Sequence, residues 1–221
     1  YENTIVIFLS DNGASDEGGE FGNLNIRKHY SFIHESFDEL FSAMDDYGSK
    51  YASNHYPMGW GHAGNTPLKW FKMDTHGGGI RDPFIVSWPQ SIKAGGEIRE
   101  QFHHCTDVVP TILDYLNIEA PETVNGIPQE PIHGQSMRAS FEDWASLTPK
   151  RAQYFEMLGD RGIWADGWKA VTRHTKGTSF DDDVWELYHV AKDFSEFLSP
   201  KESWDILKKP KKSLGIPRNP K

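Results

Sequence analysis

The sequence predicts an α/β fold followed by a small antiparallel sheet, on three observations. Ile5, Val6, Ile7, Phe8 and Leu9 form a continuous apolar run of strand length and largely β-branched composition, the pattern of a strand buried on both faces of a parallel sheet. Residues 84–88 form a second such run, closed by Pro89, which has no N–H for a ladder. Beyond residue 150, short runs at 153–157, 163–164, 168–172 and 184–190 are separated by Gly-Asp-Arg-Gly, Ala-Asp-Gly and a polar loop, the punctuation of antiparallel strands.

The chain opens Tyr-Glu-Asn-Thr and runs straight into the first strand, with no initiator Met, basic n-region or small-residue cleavage site. It therefore does not read as a signal peptide. Because a two-sided strand needs neighbours, the chain is expected to be a fragment. Its 221 residues, 37% of them hydrophobic, suffice for one core and a small satellite. The expected division is an α/β portion over 1–150, a small antiparallel β subdomain over 151–198 and a Lys/Pro-rich tail over 199–221.

Composition excludes several function classes. A net charge of −9 leaves no basic face to neutralise phosphates, so no nucleic-acid partner is expected. No apolar run approaches the roughly 20 residues that span a bilayer, so no membrane partner is expected either. The single cysteine, Cys105, rules out an internal disulfide and a Cys-rich zinc site.

Two stretches carry chemistry. Ser10-Asp11-Asn12-Gly13 places two hard oxygen donors directly after the first strand, where ligands gather in open α/β sheets. Adjacent Asp and Asn can form part of a calcium or magnesium site, and they equally suit an ordinary turn. The second stretch, residues 65–89, holds Lys69 and Lys72 upstream of Gly77, Gly78 and Gly79. The lysines are candidates to meet an anion or plain surface residues. The glycines permit a close backbone approach or a positive φ.

The ordered set TIVIFLSDNG from Thr4, NTPLKWFK from Asn65, GGIRDPFIVSWP from Gly78 and TDVVPTILDYL from Thr106, with Trp185-Glu186-Leu187-Tyr188, resembles the latter half of bacterial-type arylsulfatases of the alkaline-phosphatase superfamily. The resemblance spans residues 3–196. It implies the C-terminal part of an alkaline-phosphatase-like mixed sheet flanked by helices. Asp11 and Asn12 match the family's second pair of ligands to a divalent cation, calcium or alternatively magnesium, with Asp11 also placed to accept a proton. Lys72 matches the sulfate-binding lysine, and Lys69 a loop or substrate-rim residue. Gly77 stands where many members carry Glu, which alters how the loop is anchored.

The family's formylglycine nucleophile comes from a Cys/Ser-x-Pro-x-Arg motif in the N-terminal half. Cys105 lacks the Pro and Arg, and Ser87-Trp88-Pro89-Gln90-Ser91 ends in Ser. The resemblance thus implies a half-site of a sulfuric ester hydrolase whose partner is a small-molecule sulfate ester. The fragment alone is expected to be inactive, and the parent to lie in a bacterial-type cytoplasm or periplasm. A phosphodiesterase or phosphonate monoester hydrolase of the same superfamily, or a noncatalytic truncated relative, are the alternatives.

Phe32, Ile33, Phe37, Leu40, Phe41 and Met44 recur at helical spacing behind Ser31, predicting an amphipathic helix over 31–46 with Ser31 as N-cap and its aromatic stripe in the core. Residues 54–62 mix aromatic, His and Gly residues and read as a loop. Its His55 and His62 are candidate substrate-rim residues, or parts of an ordered surface loop. His103 and His104 precede a helix that Thr106 or Asp107 caps and Pro110 opens. The run Asp181-Asp182-Asp183 reads as a solvated turn, and residues 204–207 as a helical turn.

Overall fold

The computed structural model describes residues 1–93 and 95–198; the tail expected at 199–221, with its helical turn, lies outside the described residues. In chain order the elements are β1 (Val6–Leu9), α1 (Ile26–Tyr30), α2 (Phe37–Ser42), α3 (Met58–Asn65), α4 (Gly77–Ile80), β2 (Phe84–Ser87), α5 (Val108–Leu116), β3 (Thr123–Val124), β4 (Ile127–Pro128) and α6 (Arg138–Glu142). Four strands follow: β5 (Ala152–Met157), β6 (Asp160–Ala165), β7 (Trp168–Thr172) and β8 (Glu186–His189). This is a mixed α/β chain with antiparallel sheets. It divides into two compact units, one of Tyr1–Leu9 with Phe84–Gln153, the other of Ser10–Pro83 with the chain from Tyr154 onward.

In the first unit β1 pairs antiparallel with β2, Val6 opposite Ser87 and Leu9 opposite Phe84. The expected parallel, two-sided burial is thereby corrected. Ile5 and Ile7 join Val86, Trp88, Val108, Ile112 and Tyr115 in one apolar pocket, while Val6, Phe8, Leu9 and Ile85 are exposed. A run that is apolar at every position serves a one-faced strand as well as a two-faced one, and it carries no information about the direction of its partner. Between β3 and β4, Asn125 and Gly126 both take positive φ, 51° and 79°, the conformation a tight hairpin turn requires.

The helix expected after the paired histidines is α5, entered through a 3-10 turn at Cys105–Asp107. Pro110 is its third residue rather than its first. Asp107 holds a larger role than capping. Its fully buried carboxylate accepts from the His104 and Gln135 backbone N–H groups, each at 2.9 Å, and pairs with Lys150 at 3.0 Å. Ser140, on α6, meets His103 Nε2 at 2.9 Å, and His103 Nδ1 lies 4.0 Å from Asp107. The composition is that of a nucleophilic triad, yet the Ser140 hydroxyl is buried and donates to the Met137 carbonyl. This cluster is structural.

In the second unit the strands lie in the order β5-β6-β7-β8, with Ala165 opposite Trp168 across β6 and β7 and Trp168 opposite His189 across β7 and β8, both antiparallel. The turn-punctuated runs of the sequence are therefore the strands expected. Two helical expectations are corrected. Ser31 closes α1 instead of opening a helix, and the helix begins at Ser36, whose side chain accepts from Glu39 N–H while Glu39 bonds back to Ser36. The capping box Ser-x-x-Glu is the stronger start signal, and Glu35 keeps the preceding chain from continuing helically by accepting from Leu24 and Asn25 N–H groups. Only Leu40 of the apolar stripe is buried; Phe32, Phe37 and Phe41 are exposed. The other corrected segment is the loop expected at 54–62, much of which is α3. Asp183 is likewise no solvated residue, since it pairs with Arg161 at 2.6 Å and His174 at 3.1 Å.

Candidate functional site

The candidate site lies within the second unit and is built on three glycines. A Cβ on Gly13 would sit 1.6 Å from the Gly78 carbonyl oxygen, one on Gly78 2.0 Å from the Trp70 oxygen, and one on Gly79 2.1 Å from the Asp74 oxygen. The close approach foreseen for the triglycine turn is real, and it is backbone against backbone. Gly13 N–H donates to Gly79 O at 3.2 Å and Lys72 N–H to Ala14 O at 3.0 Å. Asn65 staples the same contact: its carboxamide donates to Gly78 O and Trp70 O, both at 2.9 Å, and accepts from Ala14 N–H at 2.8 Å.

This packing brings the segment bearing Asp11 and Asn12 beside Lys72. Asp11 is exposed, and Asn12 donates its Nδ2 to Gly13 O at 2.9 Å, which leaves the carboxamide oxygen available as a ligand. Lys72 Nζ meets Glu17 at 2.9 Å, and Glu17 also accepts from Ser15 and Tyr30 hydroxyls at 3.1 Å. The Glu17 bond, with the charges of Glu17 and Asp11 behind it, raises the Lys72 pKa. The bond from Lys72 lowers that of Glu17. Lys72 is therefore a firmly charged ammonium with Glu17 as its counterion.

The other candidates are placed elsewhere. Lys69 Nζ reaches Glu186 at 2.7 Å and Tyr188 at 3.1 Å, on β8. Its ammonium thus ties the turn to the sheet. His55 bridges to Asn23 through the backbone, and His62, exposed on α3, packs edge-on to Phe71. Sequence reasoning missed Glu17, Tyr30 and Asn65 as members of the site. Asn65 stood inside a quoted motif, and Glu17 follows the Asp-Asn-Gly by only four residues; the spacing of Tyr30 carries no signal.

As a donor set, Asp11 and Asn12 fit a hard cation in kind. They fit in number only as a part, two oxygens of the six or more that calcium takes. Among the described residues no group of three or more His, Cys, Asp and Glu side chains is disposed to hold a metal ion.

Beneath the turn lies a buried polar layer. His76 is fully buried, with neither ring nitrogen hydrogen-bonded and Nε2 3.5 Å from Glu186. Burial pushes its pKa down from 6.5 to about 4, against the pull of Glu186. Asp74, 2.7 Å from Arg173, is pushed by burial up from 3.8 to about 6. The signs oppose. The stability due to His76 is full above about pH 6.5 and is lost as pH falls towards 4, because the unfolded chain takes the proton first, by up to about 3 kcal/mol. That due to Asp74 is full below 3.8 and is lost as pH rises through about 6. Asp74→Asn should therefore unmask a steep acid loss in urea midpoints between pH 7 and 4.5, and adding His76→Gln should flatten it. Equal acid slopes in the two variants would clear His76 of that role.

The fold and the family can now be stated. The α/β chain has the fold of alkaline-phosphatase-like sulfatases, shown by a solved Bacteroides thetaiotaomicron sulfatase from a locus for metabolism of multiple glycosaminoglycans, at a TM-score of 0.54 and 19% identity over 97% of this chain and 38% of that one. The Sulfatase family model matches residues 1–118, and that described as N-sulphoglucosamine sulphohydrolase, C-terminal, matches residues 69–212. The chain belongs to the sulfatase family. It is 28% identical to an uncharacterised sulfatase of Schizosaccharomyces pombe over 88% of its own length and 34% of that protein, and 27% identical to an arylsulfatase of Klebsiella aerogenes over 62% and 28%. The chain thus spans about a third of the length of the curated relatives it matches. No helix among the described residues is long and apolar enough to cross a membrane.

Proposed function

We propose that this chain is the C-terminal portion of an enzyme that hydrolyses sulfate monoesters, and that Asp11, Asn12 and Lys72 are its contribution to the reaction centre. The observation that carries the reading is the packing of the Asp11–Asn12 segment and Lys72 side by side, through Gly13 on Gly79 and Lys72 on Ala14, in a chain of the sulfatase family. Asp11 and Asn12 would hold a divalent cation, calcium or alternatively magnesium, since both take hard oxygen donors. When bound, that ion supplies Lewis-acid polarisation of the sulfate oxygens.

The chain's own residues do the rest. Lys72 binds a sulfate oxygen and stabilises the charge that grows on it as the ester bond breaks. Its partner Glu17 keeps the ammonium charged and oriented until substrate arrives, and must then share it. Asp11, an exposed carboxylate whose charge reaches Lys72, would accept a proton. The nucleophile, a formylglycine, belongs to the portion of the parent upstream of Tyr1, and Lys69, His55 and His62 belong to the substrate rim. The substrate is a small sulfate ester of arylsulfatase type.

The test is an assay of the full-length parent on paired sulfate and phosphate monoesters with and without a chelator. The sulfate ester should be preferred, chelation should abolish turnover, and Lys72→Ala should lower kcat/KM roughly 100- to 1000-fold, the range for one preorganised donor on a transition-state oxygen. Preference for the phosphate ester would replace the sulfatase activity with that of a phosphate hydrolase on the same frame.

A further inference from the structure

Gly77 leaves a space that another part of the chain fills. A Cβ there would stand 3.4 Å from Glu196 Oε1, so the Glu196 carboxylate, 119 residues away in sequence, occupies the ground in front of the triglycine turn. Its Oε2 accepts the Gly77 N–H at 3.0 Å and its Oε1 accepts from Lys169, on β7, at 2.6 Å. Both side chains of the ion pair are 4% exposed.

Such an arrangement is expensive to build. A buried carboxylate needs its full set of donors to offset lost hydration, and burial lowers the pKa of Lys169 even with Glu196 beside it. Glu196 also holds φ at 57°, a left-handed backbone that non-glycine residues seldom adopt without a constraint. The constraint is visible: Asp193 accepts from Phe197 and Leu198 N–H groups, each at 2.9 Å, and its own carbonyl accepts from Glu196 N–H at 3.3 Å. The segment is folded so that one carboxylate points at one backbone amide.

That amide begins a short relay. Gly77 opens α4, Gly78 and Gly79 follow it, and against these two the backbone of Gly13 is seated with no side chain between. Glu196 touches neither the proposed ligands nor Lys72. It holds the surface on which their segment rests.

We propose that Glu196, held by Lys169, is a positioning residue of the site: its carboxylate anchors the triglycine turn and, through it, the backbone carrying Asp11 and Asn12. The word site here rests on the sulfatase reading, but the anchor itself does not. Removing Glu196 alone would strand a buried ammonium, so the comparison uses two double variants in the 221-residue chain. In Glu196→Gln with Lys169→Met, the carboxamide oxygen can still accept from Gly77. In Glu196→Met with Lys169→Met, it cannot.

Amide hydrogen exchange reads the outcome. The Gln variant should keep the protection of Gly77 and Gly13, whereas the Met variant should lose it at both by tenfold or more, with the amides of β6 unchanged in either. Equal exchange at Gly13 in the two variants overturns the proposal, since no relay then exists. So does a parallel rise across β6, since the pair would then serve general stability alone. A calcium titration of the full-length parent separates the two readings: a relay that operates in the chain while the parent takes up no divalent ion leaves the anchor standing and refutes the metal.

Discussion

Gly13→Ala is expected to abolish the folded second unit or to destabilise it by more than about 4 kcal/mol, the range reserved for outright steric failure. The new methyl carbon would lie 1.6 Å from Gly78 O and 2.7 Å from its carbonyl carbon, so the obstacle is main chain and no rotamer change relieves it. Backing Gly13 away breaks its bond to Gly79, and Lys72 N–H loses Ala14 O with it. The matched control has the opposite sign. Gly59 lies in α3 with nothing within 4 Å of its Cβ position, so Gly59→Ala should stabilise by roughly 0.5–1 kcal/mol through helix propensity. Urea denaturation followed by circular dichroism compares the two directly. A Gly13→Ala chain within 1 kcal/mol of wild type would show that the two backbones need not touch.

In the first unit the corresponding weak point is electrostatic. Asp107→Ala should cost about 3–5 kcal/mol, the penalty for leaving one member of a buried ion pair behind. Lys150, 5% exposed, would lose the carboxylate beside it and keep the Gln153 carboxamide oxygen at 3.1 Å, and the His104 and Gln135 N–H groups would lose their common acceptor. Asp107→Asn keeps an oxygen for one of those amides and should lie between wild type and Ala. Adding Lys150→Met to Asp107→Ala should recover much of the loss, since both charges then go together. If the double variant is no better than Asp107→Ala, the deficit belongs to the two backbone amides and not to the stranded ammonium.

Much of the fold was legible because its signals are local. Each strand of the small sheet lies between glycine-rich or polar turns, and β5, β7 and β8 fall within two residues of the runs that announced them, while β6 starts three residues ahead of its run. The triglycine motif was legible as a place of close backbone approach, since only glycine admits approaches under 3 Å. What failed was decided by distant contacts. The segment Met-Gly-Trp-Gly-His-Ala-Gly-Asn has poor helix propensity. It is nonetheless helical in α3, where Gly61 is seated so closely on Ser15 O that a Cβ would come within 2.6 Å of it. The Phe32 to Met44 stripe failed in the other direction: helical spacing was present, but Glu35 claims two backbone amides that a continuous helix would disturb. Glu196 has no motif around it at all, and only the fold shows that it faces Gly77.

The distance between those last two residues has a consequence for biosynthesis. Gly77 leaves the ribosome 119 residues ahead of Glu196, a lag of about 6–24 s at ordinary elongation rates. Through that interval the triglycine turn has no acceptor for its first amide, and Lys169, emerging later still than Gly77, has no counterion. A nascent chain carries this turn without its anchor until 119 further residues have been added, and on the proposed relay the segment bearing Asp11 and Asn12 is held only once Glu196 has followed β8.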